Sequence, residues 1–222
     1  MLLNEQNSRL TLCGELALLV AVIINSFSVV LMLYSGSGIS AISSVPFAFS
    51  EAFPKLTLGT WTYIFQGLLI ASLMYLRKKF IASYMFSFVV GFMFSQFLDL
   101  FELYINMLPK AFSWRVLYFV VSYILICIGI ALSNRCGLPI IPTDLFPREL
   151  STIIKIEYAK IKITFDVTCL AITALLTLFL LGHIDGLGIG TILAAFTMGK
   201  GVAYAGQYLD KNFQFMPYLQ KN

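Results

Sequence analysis

Gly137-Leu138-Pro139-Ile140-Ile141-Pro142-Thr143-Asp144 forms a turn between two long apolar runs, and the rest of the chain is arranged around it. A glycine and two prolines prevent the preceding helix from continuing through this stretch. Thr143 or Asp144 can cap a new helix, and Pro147 is tolerated in the first turn of that helix. The stretch therefore predicts that one apolar helix ends here and that a shorter helix begins.

An earlier stretch, Gly38-Ile39-Ser40-Ala41-Ile42-Ser43-Ser44-Val45-Pro46, resembles this turn. Aligned over nine positions with 137–145, the two share a glycine and an isoleucine, and Ser44 aligns with Thr143. Each stretch follows one apolar helix and precedes two more. The pair predicts an internal repeat. The simpler alternative is two ordinary interfacial loops that look alike because turns reuse glycine, proline and serine.

The composition is that of a polytopic membrane protein. Of the 222 residues, 59% are hydrophobic and 12% are charged, whereas soluble domains carry about 25% charged residues. The length accommodates six spans of about 20 residues each. The net charge of +4 does not indicate nucleic-acid binding, because the lysines and arginines are distributed as membrane topology requires.

We predict an all-α membrane protein with six transmembrane helices in a single domain, 1–222, divided into halves 1–109 and 110–222. Re-entrant or interfacial short helices are expected after the first and fourth spans. Ser43 or Ser44 is expected to cap the first short helix. The predicted spans cover 10–34, 59–76, 81–105, 114–133, 162–182 and 190–209, and the predicted short helices cover 45–53 and 145–160.

Lysine and arginine are unevenly distributed between the two sides of the predicted membrane. With a cytoplasmic N-terminus, eleven of the 15 lie in inside segments, three lie outside, and Lys200 lies within a span. This bias predicts that both termini are cytoplasmic. Each half then holds three spans, so the second half enters the membrane from the opposite side, as in the inverted repeats of transporters.

Several stretches resemble one family of bacterial membrane proteins. They are the turn at 38–46, Leu58-Gly-Thr-Trp-Thr-Tyr-Ile-Phe-Gln66, Phe97-Leu-Asp-Leu-Phe101, and Gly188-Ile-Gly-Thr-Ile192 with Gly199. In these stretches the chain resembles the YczE/YyaS/YitT-like integral membrane proteins, and the resemblance covers nearly its whole length. The resemblance implies a multi-pass protein of the bacterial plasma membrane, and it implies no catalytic residues.

Lys200 is the most expensive polar residue of the predicted spans. It lies about ten residues into the sixth span, which places it near the bilayer midplane at a rise of about 1.5 Å per residue. A charge there costs at least about 2.5 kcal/mol on insertion scales. Lys200 therefore faces a cavity, where it binds an anionic or coupling group, pairs with a carboxylate such as Asp99, or extends its side chain towards the membrane surface.

Further polar residues complete the predicted solute site. Asp99 and Glu102 share one helical face, where they bind a cation or proton or simply face the outer interface. Asp144 either caps its helix or, if that helix is re-entrant, lies where a positive helix end enters the membrane. The predicted solute-binding residues are Lys200, Asp144, Thr143, Ser43, Ser44, Gln66, Gln96, Asp99 and Asp166.

Small residues predict where the spans pack closely. On the sixth span they recur every four residues, and a second group on the third span is their expected counterpart. These residues are Ala195, Gly199 and Ala203 on the sixth span and Gly91 and Ser95 on the third.

The sequence contains none of the enzyme signatures HExxH, GxSxG, GxGxxG or the P-loop, and no cysteine or histidine spacing typical of a metal site. We therefore expect no enzymatic activity, cofactor or metal. The leading prediction is a secondary carrier or channel for a small solute or ion. The predicted partners are thus this unidentified substrate and the lipid bilayer. Two alternatives stay open: a substrate-binding subunit of an ATPase-driven uptake complex, docked through the 145–160 helix, and a non-transport accessory or sensing protein. The sequence also leaves a homodimer open.

Overall fold

The computed structural model describes residues 10–216, which form eight α-helices and two short strands. The strands are β1 (Leu10–Cys13) and β2 (Phe213–Met216). The helices are α1 (Gly14–Tyr34), α2 (Ala41–Ala52), α3 (Leu58–Arg77), α4 (Ala82–Ile105), α5 (Phe112–Ser133), α6 (Pro142–Ile154), α7 (Tyr158–Leu181) and α8 (Ile189–Asn212).

Six of these helices are long and two are short. The long ones have 20 to 24 residues, whereas α2 and α6 have 12 and 13. Within the described range, α1, α4, α5 and α7 are long and apolar enough to cross a membrane. Large apolar side chains are exposed along the outer faces of these helices, as Leu103 and Phe179 illustrate. The chain is therefore an all-helical membrane protein, since a bilayer would cover these faces.

The first short helix begins earlier than the sequence predicts. α2 starts at Ala41 and its N-cap residue is Ser40, so neither Ser43 nor Ser44 has the predicted capping role. Both serines lie inside the helix and are buried. The cap prediction for this helix is corrected accordingly, because the extended backbone at Ser40 already ends the preceding turn.

The second short helix also begins earlier than predicted. α6 starts at Pro142, and Ile141 is its N-cap residue, so neither Thr143 nor Asp144 caps it. Proline suits the first position of a helix because that residue's N–H would have no intrahelical partner. The helix ends before Lys155, whose φ of +60° is left-handed, and it is therefore shorter than the predicted 145–160.

The two short helices are preceded by the same backbone features. Five residues before each helix stands a glycine in the left-handed region, Gly36 with φ +70° and Gly137 with φ +72°. Glycine is favoured there because other residues adopt positive φ only at a cost. A fully buried isoleucine follows three residues later in each case, Ile39 and Ile140. In the structure, Gly36 therefore corresponds to Gly137. The sequence alignment instead pairs Gly38 with Gly137, so the two alignments differ by two residues.

The same register aligns a proline inside each short helix. Pro46 and Pro147 are both the sixth residue of their helix. Pro147 therefore lies beyond the first turn in which the sequence analysis places it. A proline at this position removes one intrahelical hydrogen bond, and both helices end within two further turns.

The packing of the first four helices is repeated by the last four. α1 and α5 pack against each other at the centre, with α4 against α1 and α8 against α5. α2 contacts α7 and α3, while α6 contacts α3 and α7. α3 packs on α4, and α7 packs on α8. The largest buried apolar cluster joins α1, α4, α5 and α8 and includes Met32, Leu98 and Ile130.

The ends of the described chain meet on one face. β1 and β2 pair in parallel, from Leu10 opposite Phe213 to Cys13 opposite Met216. The sequence analysis places Leu10 within the first span, but α1 begins only after the strand. β1 leads directly into α1 and β2 directly follows α8, so the outer ends of these two helices lie on the same side of the molecule.

Two loops from different halves of the chain cross at the starts of α2 and α8. The Ile39 backbone N–H donates to the Gly186 carbonyl at 3.1 Å, and the Gly190 N–H donates to the Ser37 carbonyl at 3.0 Å. These bonds hold the segment before α2 against the segment before α8. The contact fixes the position from which α2 enters the helix bundle.

Candidate functional site

A small cavity lies where α2 and α6 begin. It offers about 30 Å³ of space for the centres of water molecules, which is room for about two waters or one small ion. Isoleucine, valine, phenylalanine and methionine side chains form much of its wall. Its polar side chains come from α1, from α7 and from the first residues of the two short helices: Asn25, Ser40, Ser43, Thr143, Asp144 and Lys162.

Asn25 carries an amide whose hydrogen-bonding capacity is unused. It lies in the middle of α1 and is 4% exposed, and within residues 10–216 neither its Oδ1 nor its Nδ2 has a hydrogen-bond partner. Gly129 of α5 makes room for it, because an added Cβ would lie 2.7 Å from the Asn25 Cγ. A buried polar group without a partner costs about 1–3 kcal/mol. The Asn25 amide is thus available to a molecule in the cavity.

Lys162 and Asp166 form a buried ion pair on α7. Lys162 Nζ lies 2.5 Å from Asp166 Oδ1, and each side chain is 1% exposed. Lysine four residues before the acid is the less favourable order on a helix, because the positive charge lies nearer the positive helix end. Buried ion pairs are in general poor sources of stability. Stabilisation of α7 therefore does not explain why this ion pair is present. Its position at the cavity indicates that it acts on a molecule bound there.

Asp144 is a second carboxylate at this cavity, and it is not part of an ion pair among the described residues. It is the third residue of α6 and is 5% exposed. Within residues 10–216 its carboxylate accepts no hydrogen bond, although it interacts electrostatically with Lys162 and Asp166. In the same range no three His, Cys, Asp or Glu side chains are grouped to hold a metal ion.

Two positive helix ends meet at the cavity. Ala41 and Ile42 of α2 line it from one side, and Thr143 of α6 lines it from the other. The first backbone N–H groups of a helix have no intrahelical acceptor, and each helix start carries about half a positive charge. Pro142 has no N–H, and the Ser43 and Asp144 N–H groups already donate to the Ser40 and Ile141 carbonyls. Within the described range, the free backbone donors at the cavity are therefore the N–H groups of Ala41, Ile42 and Thr143, which lie there with the Asp144 carboxylate and the Lys162 ammonium.

The structure brings several predicted site residues to this place. Ser43, Thr143 and Asp144 line the cavity, and Ser43 accepts a hydrogen bond from the Ser40 hydroxyl at 2.8 Å. Asp166 does not line the cavity itself, but it forms the ion pair with Lys162, which does.

Two other predicted residues are buried nearby without lining the cavity. The Ser44 hydroxyl is 2.7 Å from that of Thr173, which ties α2 to α7. Gln66 of α3 is fully buried, and within the described range both its amide atoms lack a hydrogen-bond partner. It lies close to Gly91 and near the start of α6 at Pro142.

Three predicted residues lie on the outer surface instead. Lys200, Gln96 and Glu102 are exposed and do not line the cavity. Next to Lys200 on α8, Met198 and Gly199 are buried and face the other helices. Each residue is rotated by about 100° around the helix axis from the one before, so the Lys200 side chain points away from this buried face. This corrects the placement of Lys200 beside the central turns.

Asp99 stabilises the start of α3 and is not an ion-pair partner of Lys200. Its Oδ1 accepts a hydrogen bond from the Gly59 backbone N–H at 2.7 Å, and its Oδ2 accepts one from the Thr57 hydroxyl at 2.8 Å. These bonds satisfy donors at a helix start that would otherwise lack acceptors. Asp99 does not line the cavity, and it has a capping role across two helices.

Replacing Asp99 by alanine is expected to lower the free energy of unfolding by about 1–2 kcal/mol, because a cap and a charge-assisted bond are lost. Glu102→Ala is the matched control, since this exposed carboxylate is on the same face, and its effect is expected to stay within about 0.5 kcal/mol. Unfolding in mixed micelles measures both. Equal losses in the two variants would contradict the capping role.

The predicted packing residues are only partly buried. Gly199 faces α7 closely, because an added Cβ would lie 2.9 Å from the Ala159 carbonyl oxygen. Ala195 is fully buried, but Ala203 is exposed. Residues four apart drift by about 40° per step around a helix of 3.6 residues per turn, so the line leaves the interface within two steps.

The group on α4 packs against other helices than the sequence suggests. Gly91 adjoins Gln66 of α3 and Pro142 of α6, and the Ser95 carbonyl closely approaches Gly59 of α3. Gly91 and Ser95 thus lie between α4 and the helices α3 and α6, whereas Gly199 lies between α8 and α7. The two groups occupy corresponding places in the two halves and do not pack against each other.

Residues 13–206 match the family described as "Family of unknown function (DUF6198)". The chain belongs to this family. The matched range contains every residue that lines the cavity. No curated protein and no solved structure matches the chain.

Three polar residues that line the cavity of this DUF6198 member are absent from the predicted solute-binding residues: Asn25, Ser40 and Lys162. Lys162 is the charged one. From the sequence, Lys162 is predicted to be a cytoplasmic cation at the edge of the fifth span. α7 begins one turn earlier, at Tyr158, which moves Lys162 inside the bundle. The only signal in the sequence is its spacing of four residues from Asp166, which places the two charges on one helical face.

Proposed function

We propose that this protein is a secondary carrier or channel for a small solute or ion in a bacterial plasma membrane, and that it acts by binding and passage without chemistry. The observation that carries this proposal is the polar cavity at the meeting point of α2 and α6, with the unpaired Asn25 amide in its wall. Polar and ionisable groups inside a membrane bundle mark solute and ion pathways.

The architecture supports a transport mechanism based on inverted repeats. On this proposal all six long helices span the bilayer, and residues before and after the α4–α5 loop form two halves of three spans each. Three spans reverse the direction of the chain, so α2 and α6 enter from opposite faces and meet start to start at the cavity. Broken or short helices whose N-termini meet near the midplane are typical binding sites of such transporters.

Two features support the proposed orientation with both termini in the cytoplasm. The pairing of β1 with β2 keeps the outer ends of α1 and α8 on one side. The cations Arg77 and Arg135 also lie at helix ends that the lysine and arginine bias assigns to the inside. The resemblance to YczE/YyaS/YitT-like proteins of the bacterial plasma membrane is in keeping with this topology.

The alternative of an ATPase-driven uptake complex receives less support. That alternative requires the helix at 145–160 to present a docking surface. The first half of α6 is buried, including Leu145 and Pro147, and the helix packs against α3 and α7. Arg77 and Tyr84 further hold Glu149 in its second half. Only the last turn of α6 is left for a partner.

A thermal-shift screen of the purified protein over small anions, cations, amino acids and vitamins tests the proposal. A solute at about 100 times its dissociation constant is expected to stabilise the wild type by about 2.7 kcal/mol. Asn25→Leu is expected to lose this response, because it removes the amide from the cavity wall. Ser87→Ala is the matched control, because Ser87 is buried and unpaired among the described residues but does not line the cavity.

The screen separates the candidate functions. A hit retained by Ser87→Ala and by Lys200→Ala but lost in Asn25→Leu supports the cavity as the solute site. A hit that survives in Asn25→Leu contradicts the assignment of the site. No hit with any solute would favour the accessory or sensing protein, and co-purification of nucleotide-hydrolysing subunits would favour the ATPase complex.

A further inference from the structure

The charges around the cavity balance only while Asp144 is ionised. The Lys162 ammonium and the Asp166 carboxylate cancel within their ion pair. The starts of α2 and α6 contribute about half a positive charge each, and these two half-charges are offset by one ionised Asp144. Protonation of Asp144 would leave about one positive charge at the cavity, with nothing in its wall to compensate for it.

The groups that would meet a ligand are mostly hydrogen-bond donors. They comprise the backbone N–H groups of Ala41 and Ile42 at the start of α2 and of Thr143 at the start of α6, each helix longer than eight residues, the hydroxyls of Ser43 and Thr143, and the Lys162 ammonium. Asn25 adds an independent indication, because its amide is buried, lines the cavity and has no partner among the described residues. Helix starts with free N–H groups bind anions, while a bare cation would face two positive helix ends and a lysine.

The size of the cavity restricts the anion. Space of about 30 Å³ for water centres holds about two water molecules, which matches a chloride or nitrate ion and excludes most organic acids. The charge left by protonated Asp144 matches a single negative charge. We propose that the cavity binds one small inorganic monovalent anion together with one proton, and that Asp144 carries the proton.

This inference rests on the proposed transport function and specifies its substrate class and coupling. In the empty site, the Asp144 carboxylate takes the place of the anion as the counter-charge of the helix ends. When the anion enters, the carboxylate takes up a proton, so that the charge of the site stays the same. One proton is bound for each anion bound, and no other group has to change its charge.

The charged and titratable groups near Asp144 are few. α7 contributes Lys162, Asp166 and Tyr158, and α6 itself contributes Arg148. α3 and α4 face this end of α6 with Gln66 and Gly91, which do not titrate. Two thiols interact with the ion pair, Cys127 with Lys162 and Cys169 with both Lys162 and Asp166. Of the two carboxylates in this set, Asp166 belongs to the ion pair and Asp144 does not. Asp144 can therefore gain a proton without breaking the Lys162–Asp166 ion pair.

Binding of sodium chloride, bromide and nitrate to the purified protein tests the inference, with sodium gluconate at equal ionic strength as the reference. Apparent dissociation constants are measured by thermal shift from pH 5 to pH 9. Because one proton binds with each anion, the apparent dissociation constant of the anion is expected to rise about tenfold for each unit by which the pH is raised. This holds over the pH range in which Asp144 is ionised in the empty site. Asp144→Asn is expected to bind the anions with a constant that no longer depends on pH. Glu102→Gln, which neutralises an exposed carboxylate, is expected to keep the wild-type slope.

Proton uptake into proteoliposomes provides a second test of the inference. It uses only the wild-type protein, so it does not require that a variant folds. In proteoliposomes that contain a pH-sensitive dye, an inward gradient of chloride or nitrate is expected to acidify the lumen in the presence of wild-type protein, and gluconate is not. These anions are chosen because their acids are strong, so that almost no neutral acid is present near neutral pH to carry protons across the lipid.

Each outcome decides between the inference and the function on which it rests. Anion binding without a pH slope, or anion flux without proton uptake, overturns the inference. Stabilisation by sodium or potassium, or by a neutral solute, overturns it as well and leaves the transport function standing. If no solute binds and none crosses the membrane, the transport function fails together with the inference.

Discussion

Replacing Lys162 by methionine is expected to lower the free energy of unfolding by about 3–5 kcal/mol, because the buried Asp166 carboxylate would lose its only ion-pair partner among the described residues. The methionine has a similar length and leaves no large void, so the loss reports the unpaired charge. Denaturant unfolding in mixed micelles measures the change, and the yield of monodisperse protein gives a second readout.

Two further variants show whether the charge is responsible. Lys160→Met removes a lysine two residues away, whose contact to Glu157 is 4.0 Å long and exposed, and it is expected to change stability by less than about 0.5 kcal/mol. The double variant Lys162→Met/Asp166→Leu is expected to recover most of the loss, because it removes both charges. If the double variant is as unstable as Lys162→Met alone, the loss comes from packing and the account of the pair is wrong.

Gly38→Ala is expected to destabilise the protein strongly, because two unfavourable effects coincide at this glycine. Its φ is +101°, which costs about 1–3 kcal/mol for a residue with a side chain. An added Cβ would also lie 2.5 Å from the Gly188 backbone nitrogen and would collide with the Thr191 hydroxyl. Overpacking of this kind costs a further 1–3 kcal/mol or so, and it would separate the loops that position α2.

Gly182→Ala is the matched control for this prediction. Gly182 also has a positive φ, +77°, but nothing lies within 4 Å of an added Cβ. Only the backbone cost is then expected, about 1–2 kcal/mol. Thermal unfolding of the two purified variants gives the comparison. Equal losses would mean that the crossing of the two loops does not constrain the start of α2.

The helices could be predicted from the sequence because long apolar runs separated by proline, glycine and charges leave few alternatives. The predicted spans at 59–76 and 81–105 differ from α3 and α4 by one residue or less at each end. The starts of the short helices were missed, because their caps come from backbone geometry and not from Ser43 or Thr143 side chains. β1 was also missed, since the four residues Leu-Thr-Leu-Cys at the edge of a span give no separate signal.

The site could be predicted only in part, because residue type does not show which way a helical side chain points. Ser43 and Asp144 are predicted from the two turns, because turns that interrupt spans often mark binding sites, and both line the cavity. The direction of Lys200 could not be predicted, because a charge in an apolar run faces either inward or outward, and the structure exposes it on α8. Lys162 was missed for the opposite reason: it looked like an interfacial cation, and only the earlier start of α7 buries it.

The proposed transport function requires that the cavity between α2 and α6 can be reached from each side of the membrane. Side-selective labelling of Ser43→Cys tests it most directly, in a background in which Cys13, Cys127, Cys136 and Cys169 are replaced by alanine. A membrane-impermeant thiol reagent is added to one side of proteoliposomes and then, in a separate sample, to the other. Ser87→Cys serves as the control for a buried position outside the cavity. The account predicts that Ser43→Cys reacts from both sides and that Ser87→Cys reacts from neither, whereas a Ser43→Cys that reacts from one side only, or from neither, would contradict it.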